Sequence, residues 1–420
     1  MYKAYKYRIY PNKEQRQKFM QFFGCARLVY NKCIDWYSEA YKEWKENGTP
    51  IGKLPLVTEF KKEYEFLKLC DNAALAYARS NFEKALSDFF KSKKGNRKGK
   101  KLGFPKYKSK HKSKFIYRTC GSHGGIKFID DSHIRLPKVG AVKCVKHRDF
   151  IGVIKAVTVE MKTSGKFYVS VSVDCPSETM IKLNKKNNIN NLSVVGLDMS
   201  LSNFAVSSNI DDNAIIKYVK KYRSNENRLS RLQRTMNKRV KGSSNRLKAK
   251  IRLGSLHEKI ANHRKDFVTK LALYFARKYD VIMLEDINLQ DMSRTLHLGK
   301  SVMDLGFGMF RTLLAQKCVE YDSSIIYIDK WYPSSKRCNS CGSINSSLSL
   351  SDREWVCTEC GCINDRDYNA ACNIRDYFTL ILNTAGTAEI HACGDSASTL
   401  RETLLQVLSL NQEAPSFRLV

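Results

Sequence analysis

The sequence lacks any long hydrophobic run. No stretch approaches the ~20 apolar residues that a membrane-spanning helix needs, and residues 1–8 (MYKAYKYR) contain no apolar segment of the kind that a signal peptide requires. Of the 14 cysteines, those outside one double C-x-x-C pattern lack the spacing of a disulfide framework, so we expect reduced thiols. Together these absences predict an intracellular protein without membrane contact.

Acidic residues are scarce relative to basic ones. The 420 residues include 73 Lys+Arg and 41 Asp+Glu, which gives a formal net charge of +32 at pH 7. Such a field attracts polyanions, and the interspersed Tyr, Phe and Trp can stack on bases, so nucleic acid is favoured over a membrane surface or a merely soluble basic enzyme. The 43% hydrophobic content excludes a globally disordered chain, and the length suggests about two to three domains.

The positive charge is densest in residues 91–114, where twelve of twenty-four positions are Lys or Arg. Gly95, Gly99 and Gly103 interrupt this run, which predicts a basic loop that contacts phosphates; a solvated linker is the alternative. The candidate nucleic-acid contacts in this loop and further along the chain are Lys93, Lys94, Arg97, Lys98, Lys100, Lys101, Lys106, Tyr107 and Lys336.

The first half of the chain predicts a β-rich part with a helical insertion. Five or more short alternating segments between residues 115 and 175, separated by turn residues, suggest a small β-barrel that the strand at 2–10 joins. Residues 12–91 show helical spacing of aromatic and aliphatic side chains, with a break at 47–50. We therefore expect an all-β part interrupted by a helical part.

The second half predicts an α/β domain. Apolar strands alternate with helices, in the order strand, strand, long helical insert, strand, helix, strand, helix, which is how a ribonuclease-H-like sheet brings distant acids together. The expected elements are a buried strand with Asp198 near its centre, helices at 223–241 and 244–278, an apolar strand that ends in acid at Glu285, a helix at about 302–321 and a strand at Ile325–Asp329. A polar linker is expected at 185–191 and a disordered tail from 383 onward.

Four cysteines form the most specific motif. Cys338-x-x-Cys341 and Cys357-x-x-Cys360 are separated by fifteen residues, the spacing of a zinc ribbon in which four thiolates complete a tetrahedron. Such a closed site leaves zinc no open position, so its role is structural. Cys362 lies two residues beyond the quartet, and we do not count it as a ligand.

Three carboxylates are the candidate catalytic groups. Asp198 lies in the apolar run that begins at Val194, near the centre of an expected buried strand, and Glu285 ends the apolar run that begins at Val281. An isolated acid in such a place is costly unless it is paired or binds a metal; a strand-end acid facing a loop is the alternative. Asp367 precedes a good helix start, where capping is the alternative. Taken together, the three acids are hard oxygen ligands suited to Mg²⁺ or Mn²⁺, and two such ions can promote phosphodiester hydrolysis.

At the level of motifs, the chain resembles the TnpB family of transposon-encoded, RNA-guided DNA endonucleases, which is related to type V CRISPR effectors. The resemblance extends almost from end to end. The motifs that carry it are Arg8–Asn12, Gly24–Asn31, Gly103–Pro105, Arg135–Gly140, Gly196–Asp198, Leu284–Asp286, Pro333–Lys336 and Asp365–Ala371. It implies that Asp198, Glu285 and Asp367 are the catalytic, Mg²⁺-binding residues of a RuvC nuclease domain, with Asp365 as a local hydrogen-bond partner.

The resemblance also implies a domain plan. A wedge β-barrel would comprise residues 1–11 and 92–183, a helical recognition domain 12–91, the RuvC domain 184–337 and 361–382, and an inserted zinc ribbon 338–360, with 383–420 as the tail. A guide RNA and target double-stranded DNA are the implied partners in the prokaryotic cytoplasm, and the protein itself would read a short flanking motif. No oligomer is required.

Some positions depart from the family pattern. Leu75-Ala76 stands where many relatives carry Leu-Gln, and Arg79 replaces an apolar residue, so no flanking-motif preference can be transferred. Asn364 replaces a common His, which we expect to be tolerated. Two alternative functions stay open: a nuclease-inactive RNA-guided DNA-binding repressor, which the presence of all three acids disfavours, and a guide-independent transposase or resolvase.

Overall fold

The protein is described by a computed structural model. It describes residues 2–97, 99–111, 113–121, 125–176, 192–212, 214–286, 299–349 and 351–384. In these ranges, no helix has both the length and the apolar character that crossing a bilayer demands. The predicted linker at 185–191, the predicted tail beyond residue 384 and the candidate contact Lys98 lie outside the described residues.

The chain divides into two compact units. One comprises Met1–Thr179 with Leu232–Ser255, and the other comprises Met180–Arg231 with Leu256–Val420. The elements of the first part of the chain are β1 (Tyr2–Tyr10), α1 (Lys13–Asn47), α2 (Val57–Glu63), a 3-10 helix (Glu65–Leu69), α3 (Asn72–Lys93), β2 (Phe115–Cys120), β3 (Lys127–Asp130), β4 (His133–Leu136), β5 (Gly140–Val145), β6 (Val153–Met161) and β7 (Phe167–Asp174).

Strands β1 to β7 form one sheet in the order β2-β6-β7-β1-β5-β4-β3. The N-terminal strand β1 lies in its middle and pairs antiparallel with both β5 and β7, so the strand expected at 2–10 does join the β-rich part. The valines at every second position of β7 are fully buried because alternate side chains point to the same face. Closure of this sheet into a barrel stays a prediction.

The helices between β1 and β2 have clear sequence boundaries. Asn12 and Gln15 form a capping box at the start of α1, with Gln15 N–H 2.8 Å from Asn12 Oδ1, and Gly48 ends the helix in the left-handed region at φ 72°. The helical region expected at about 56–91 is divided into α2, the 3-10 helix and α3. The division occurs because Asp71 caps a new helix, its Oδ1 accepting the Ala73 N–H.

The second half contains a five-stranded sheet. Its order is β10-β9-β8-β11-β12, in which β9 is antiparallel to β8, and β11 is parallel to both β8 and β12. The elements are β8 (Val194–Asp198), β9 (Ala205–Ser207), a 3-10 helix (Ile210–Asp212), β10 (Ile215–Ile216), α4 (Lys221–Ser224), α5 (Glu226–Asn237), α6 (Ser244–Lys278), β11 (Val281–Glu285), α7 (Gly299–Leu305), α8 (Phe307–Tyr321), β12 (Ser324–Ile328), β13 (Glu354–Val356), β14 (Ile363–Asp365) and α9 (Arg366–Thr384).

Both faces of this sheet are covered by helices. Ile282 and Leu284 of β11 pack into one apolar cluster with side chains of α6 and α8. Val281 and Met283 point to the opposite face and pack into a second cluster with side chains of α9. A strand covered on both faces is apolar at successive positions, which explains the run VIML before Glu285.

Several expected boundaries differ in this half. The helix expected at 302–321 is broken at Gly306, which adopts a left-handed φ of 77° and separates α7 from α8. Helix α5 ends at Asn237 rather than at 241. Asp198 was expected near the centre of a buried strand, whereas it is the last residue of β8 because the apolar run ends at Leu197.

Candidate functional site

Asp198 and Glu285 lie at the same edge of the five-stranded sheet. Asp198 is the last residue of β8, and Glu285 is the last residue of its parallel neighbour β11. The register pairs Leu197 with Leu284, so the two acids follow side by side. Both are half-buried after runs of buried residues. The carboxyl ends of parallel strands lie at the same edge of a sheet, so the sheet topology by itself places the two acids next to each other.

Asp367 lies in the first turn of α9, and it is not the helix cap. The Tyr368 N–H donates to Asp365 Oδ1 at 2.8 Å, so Asp365 caps the helix and Asp367 is left for another role. The side-chain cap is therefore Asp365, a local hydrogen-bond partner, whereas Asp367 lies in the first turn, where the helix dipole favours an acid. Arg353 Nη1 lies 3.5 Å from Asp367 Oδ2.

The three acids are close enough to interact electrostatically. Burial, followed by the negative charges of Glu285 and Asp367, raises the pKa of Asp198 well above its usual value; Arg366 opposes this shift. In the part of the chain that the structure describes, their oxygens do not form a group as tight as that of the cysteine quartet. The three carboxylates repel one another, and a cation bound between them would reduce that repulsion.

A chain of polar contacts links Glu285 to helix α9. Ser334 Oγ donates to Glu285 Oε1 at 2.5 Å. Asn373 on α9 donates its amide to the carbonyl oxygens of Ser334 at 2.8 Å and Arg337 at 2.6 Å. Ser334 is 6% and Asn373 1% exposed, so these bonds form away from water, where polar partners are obligatory. The segment that begins at Ser334 thus orients Glu285 and anchors to α9.

The four cysteines converge as the spacing predicts. The Sγ atoms of Cys338, Cys341, Cys357 and Cys360 all lie within 4.8 Å of one another. Cys338 Sγ is 3.7 Å from Cys360 Sγ, and Cys341 Sγ is 3.6 Å from Cys357 Sγ. Zn–S bonds of about 2.3 Å in a tetrahedron place sulfurs about 3.8 Å apart, so the quartet suits a structural zinc ion. Cys362 is outside this group.

The two cysteine pairs have the same local geometry. Gly342 N–H donates to the Cys338 carbonyl and Gly361 N–H to the Cys357 carbonyl, both at 2.9 Å. Both glycines have left-handed φ values, 81° and 70°, which explains the glycine after each pair. The Ser343 hydroxyl is 3.1 Å from Cys357 Sγ, and this hydrogen bond, supported by backbone N–H groups, lowers the pKa of Cys357 to about 6. A thiol that ionises this readily is ready to bind metal.

The second cysteine pair lies within a β-hairpin that leads into α9. Strands β13 and β14 pair antiparallel, with Trp355 opposite Asn364. The hairpin continues to Asp365, five residues beyond the predicted ribbon boundary at 360, because the returning strand must pair with β13. The Asn364 amide lies 3.7 Å from Cys338 Sγ and 3.3 Å from the Cys362 carbonyl oxygen. The position of Asp367 therefore depends on the cysteine hairpin.

The described candidate nucleic-acid contacts are all exposed. Lys93 ends α3, whereas Lys94, Arg97, Lys100, Lys101 and Lys106 follow it in the basic segment. The Tyr107 hydroxyl donates a hydrogen bond to Asp35 Oδ1 at 2.6 Å, and this bond holds part of that segment against α1. Lys336 Nζ donates to the Ser346 carbonyl at 3.3 Å.

Sequence reasoning overlooked Ser334, Asn369 and Asn373 as site residues. They belong to motifs that carry the family resemblance or follow them directly, but the type of residue alone indicates no role. Asn369 accepts the Asn339 N–H at 2.9 Å and donates to the Arg337 carbonyl at 2.7 Å. The available signal was a pair of asparagines four residues apart, Asn369 and Asn373, on the apolar face of a helix, where polar side chains need partners.

Three family models match the chain. A "Cas12f1-like, TNB domain" model matches residues 307–374, which contain the cysteine quartet and Asp367. A "Probable transposase" model matches residues 166–296, which contain Asp198 and Glu285. A "Helix-turn-helix domain" model matches residues 1–46, where the structure has the strand β1 followed by the single continuous helix α1.

The chain is similar to known proteins over nearly its full length. It is 30% identical to a "Putative RNA-guided DNA endonuclease" of Streptomyces pristinaespiralis, over 96% of this chain and 93% of that protein. It is 27% identical to a "Putative RNA-guided DNA endonuclease InsQ" of Escherichia coli (strain K12), over 95% of each. A solved chain from a "Cryo-EM structure of the Cas12f1-sgRNA-target DNA complex" aligns with a TM-score of 0.49 at 16% identity, covering 89% of this chain and 98% of that one.

The chain belongs to the TnpB family, because it is 30% identical to the Streptomyces relative over nearly the whole length of both proteins.

Proposed function

We propose that the protein is an RNA-guided DNA endonuclease of a transposon, which cleaves guide-complementary double-stranded DNA next to a short flanking motif. The observation that carries this proposal is that Asp198 and Glu285 end neighbouring parallel strands of the five-stranded sheet, and that the negative charges of Glu285 and Asp367 act on Asp198. The family resemblance implies that this sheet is part of a ribonuclease-H-like, RuvC-type domain. The relatives named as RNA-guided DNA endonucleases support the same function.

The three carboxylates would hold Mg²⁺ or Mn²⁺. Two such ions, when bound, supply an activated water and stabilise the leaving oxygen in phosphodiester hydrolysis. The chain's own contribution is positioning. Ser334 holds one oxygen of Glu285, and the cap at Asp365 sets the start of the helix that carries Asp367. The exposed Arg353 guanidinium lies 3.5 Å from Asp367. A metal ion that binds the Asp367 carboxylate would displace this guanidinium.

The other parts take supporting roles in this proposal. The cysteine quartet would bind one structural zinc ion and fix the hairpin that precedes Asp367. The seven-stranded sheet and helices α1 to α3 would act as the wedge and recognition domains, and the exposed lysines of the basic segment would contact phosphates of the guide RNA and its DNA target.

The test requires the natural guide. The full-length protein is purified together with the RNA transcribed from its own locus, and the bound RNA is sequenced to reveal the guide segment. Double-stranded DNA that matches this segment, with a randomised flank, is then incubated with Mg²⁺. We expect cleavage by the wild type, and we expect Asp198→Ala to reduce it to the metal-free background while RNA and target binding persist.

Asp329→Asn is the matched control. Asp329 follows β12, the next parallel strand, but its Oδ1 accepts the Trp331 N–H at 2.7 Å, and its charge is not among those that raise the pKa of Asp198. Asparagine keeps that acceptor, so cleavage should persist. Cleavage retained by Asp198→Ala would refute the site, and binding without cleavage by the wild type would favour the repressor. Cleavage that survives removal of the RNA would favour a guide-independent enzyme.

A further inference from the structure

An open pocket of about 710 Å³ lies in the first unit, whose residues are distant in sequence from the three candidate catalytic acids and the cysteine quartet. Its walls come from the C-terminal halves of α1 and α3 and from Phe104 of the basic segment. The volume is within the range of roughly 300–1,000 Å³ that is typical of ligand pockets. We call it the aromatic pocket, because five of its lining side chains are Tyr37, Tyr41, Phe89, Phe90 and Phe104.

The rings of the aromatic pocket form a connected set with open faces. Tyr37 stacks on Tyr41 with 6.5 Å between centroids and an interplanar angle of 14°. Phe104 bridges the two helices, 5.9 Å from Tyr37 and 5.7 Å from Phe89. Tyr41 is 46% and Phe104 37% exposed. Large aromatic side chains that line a concave surface and stay this exposed are typical of a binding site.

The charge around these rings is positive. The lining includes Lys42, Lys93 and Lys94 and contains no carboxylate. In the described part of the chain, none of these three lysines forms an ion pair with an acid. Lys93 and Lys94 also begin the basic segment 91–114. The aromatic pocket therefore combines flat apolar rings with cations and continues into the most positive stretch of the chain.

The wall formed by Phe104 is held in place. Three residues further on, Tyr107 donates to Asp35 of α1, and Asn31 of α1 makes two hydrogen bonds with the Lys108 backbone, at 3.0 and 2.8 Å. The Lys108 ammonium lies 3.5 Å from the centre of the Tyr30 ring. These contacts anchor the loop to α1, so the aromatic pocket does not have to be assembled when a ligand arrives.

We propose that the aromatic pocket binds an unpaired nucleobase of a nucleic-acid strand, stacked on Tyr41 or Phe104, while Lys42, Lys93 and Lys94 contact the flanking phosphates. Base–aromatic stacking beside a positive track is the general mode of single-strand binding. An apolar helix from a second copy of the chain could pack against the rings, but it would leave the three lysines without a negatively charged partner. The inference rests on the proposed function only in requiring that the protein binds nucleic acid.

The test separates stacking from phosphate contacts. Full-length protein, freed of nucleic acid at high salt, is titrated without divalent cations against fluorescein-labelled ten-nucleotide oligouridine and against the same strand with three central abasic riboses. Fluorescence anisotropy should show about tenfold tighter binding of the base-bearing strand. Tyr41→Ala should reduce this preference to below twofold, and Tyr41→Phe should keep it. Lys42→Ala should weaken the binding of both probes equally.

Phe66→Ala is the matched control, since Phe66 is also 46% exposed but does not line the aromatic pocket; it should keep the preference. Oligouridine with a central 5-iodouridine should photocrosslink to Tyr41 or Phe104, as mapped by mass spectrometry. Equal binding of both probes by the wild type, or crosslinks only elsewhere, would overturn the proposal. A preference that survives Tyr41→Ala while light scattering shows loss of a dimer would assign the aromatic pocket to self-association.

This assay reads binding and not cleavage. Failure of the base preference leaves the Asp198→Ala cleavage test untouched, and failure of cleavage leaves the base preference measurable.

Discussion

Gly196→Ala should impair the proposed nuclease site without changing any of its three acids. Gly196 lies in β8 two residues before Asp198, and α9 packs directly on it. A Cβ at this position would lie 2.2 Å from the Ala371 carbonyl oxygen and 2.5 Å from the Arg375 nitrogen. Both atoms belong to the backbone of α9, so no side-chain rotation can relieve the clash.

The size of the effect follows from these distances. A Cβ atom is essentially never closer than 3.0 Å to a non-bonded heavy atom. The distance from the new Cβ to the Ala371 carbonyl oxygen must therefore grow from 2.2 to 3.0 Å, which requires the backbone of α9 to move away by about 0.8 Å. Overpacking of this kind costs about 1–3 kcal/mol of unfolding free energy. Because α9 carries Asp367, the same shift moves one of the three proposed metal ligands away from Asp198 and Glu285, and a displacement near 1 Å costs on the order of a hundredfold in rate.

Urea denaturation followed by circular dichroism measures the first effect, and single-turnover cleavage of guide-matched DNA measures the second. Gly52→Ala is the control, because a Cβ there meets nothing within 4 Å and its φ is not left-handed. Wild-type stability and rate in Gly196→Ala would refute the close packing of β8 on α9. Lost stability with an unchanged rate would refute the inference that this packing places Asp367.

Two further predictions concern the same helix and the cysteine hairpin. Asp365→Ala should lower the unfolding free energy by about 0.5–2 kcal/mol and slow cleavage, whereas Asp365→Asn should keep the cap to the Tyr368 N–H; equal losses in both, measured by denaturation and cleavage, would contradict the cap. Cys341→Ser should lower the zinc content measured by mass spectrometry, while Cys362→Ser should leave one zinc per chain, and loss of zinc from both would mean that the ligand set is wrong.

Much of the second half could be predicted because its signals are local. A fixed spacing of cysteines defines two chelating loops whatever the surrounding fold. Apolar runs that end in acid indicate buried strands with a carboxylate at the edge, which is how Asp198 and Glu285 were found. The helix that carries Asp367 was also visible, but the sequence suggested capping for Asp367, whereas the cap is Asp365. Residue types alone do not fix the first residue of a helix.

The remaining contacts have no local signal. Ser334 reaches Glu285 across 49 residues, and Asn373 reaches the Ser334 carbonyl across 39 residues. Side-chain hydrogen bonds of that range depend on how helices and loops pack, and no periodicity reports them. The break at Gly306 is similar: a glycine in a helical pattern is tolerated as often as it ends a helix, and its left-handed φ becomes known only from the backbone.

The direct passage from β14 into α9 limits how this protein can change in length. Strand β14 ends at Asp365, and α9 begins at the next residue. Asp367 is the second residue of that helix, so a residue added or lost between Asp365 and Asp367 would turn the acid by about 100° around the helix axis. The stretch between Cys341 and the start of β13 does not set this phase, although its Asp352 carbonyl accepts a hydrogen bond from Arg366. Insertions, whether natural or engineered, should therefore be tolerated better between Cys341 and Ser349 than between Asp365 and Asp367.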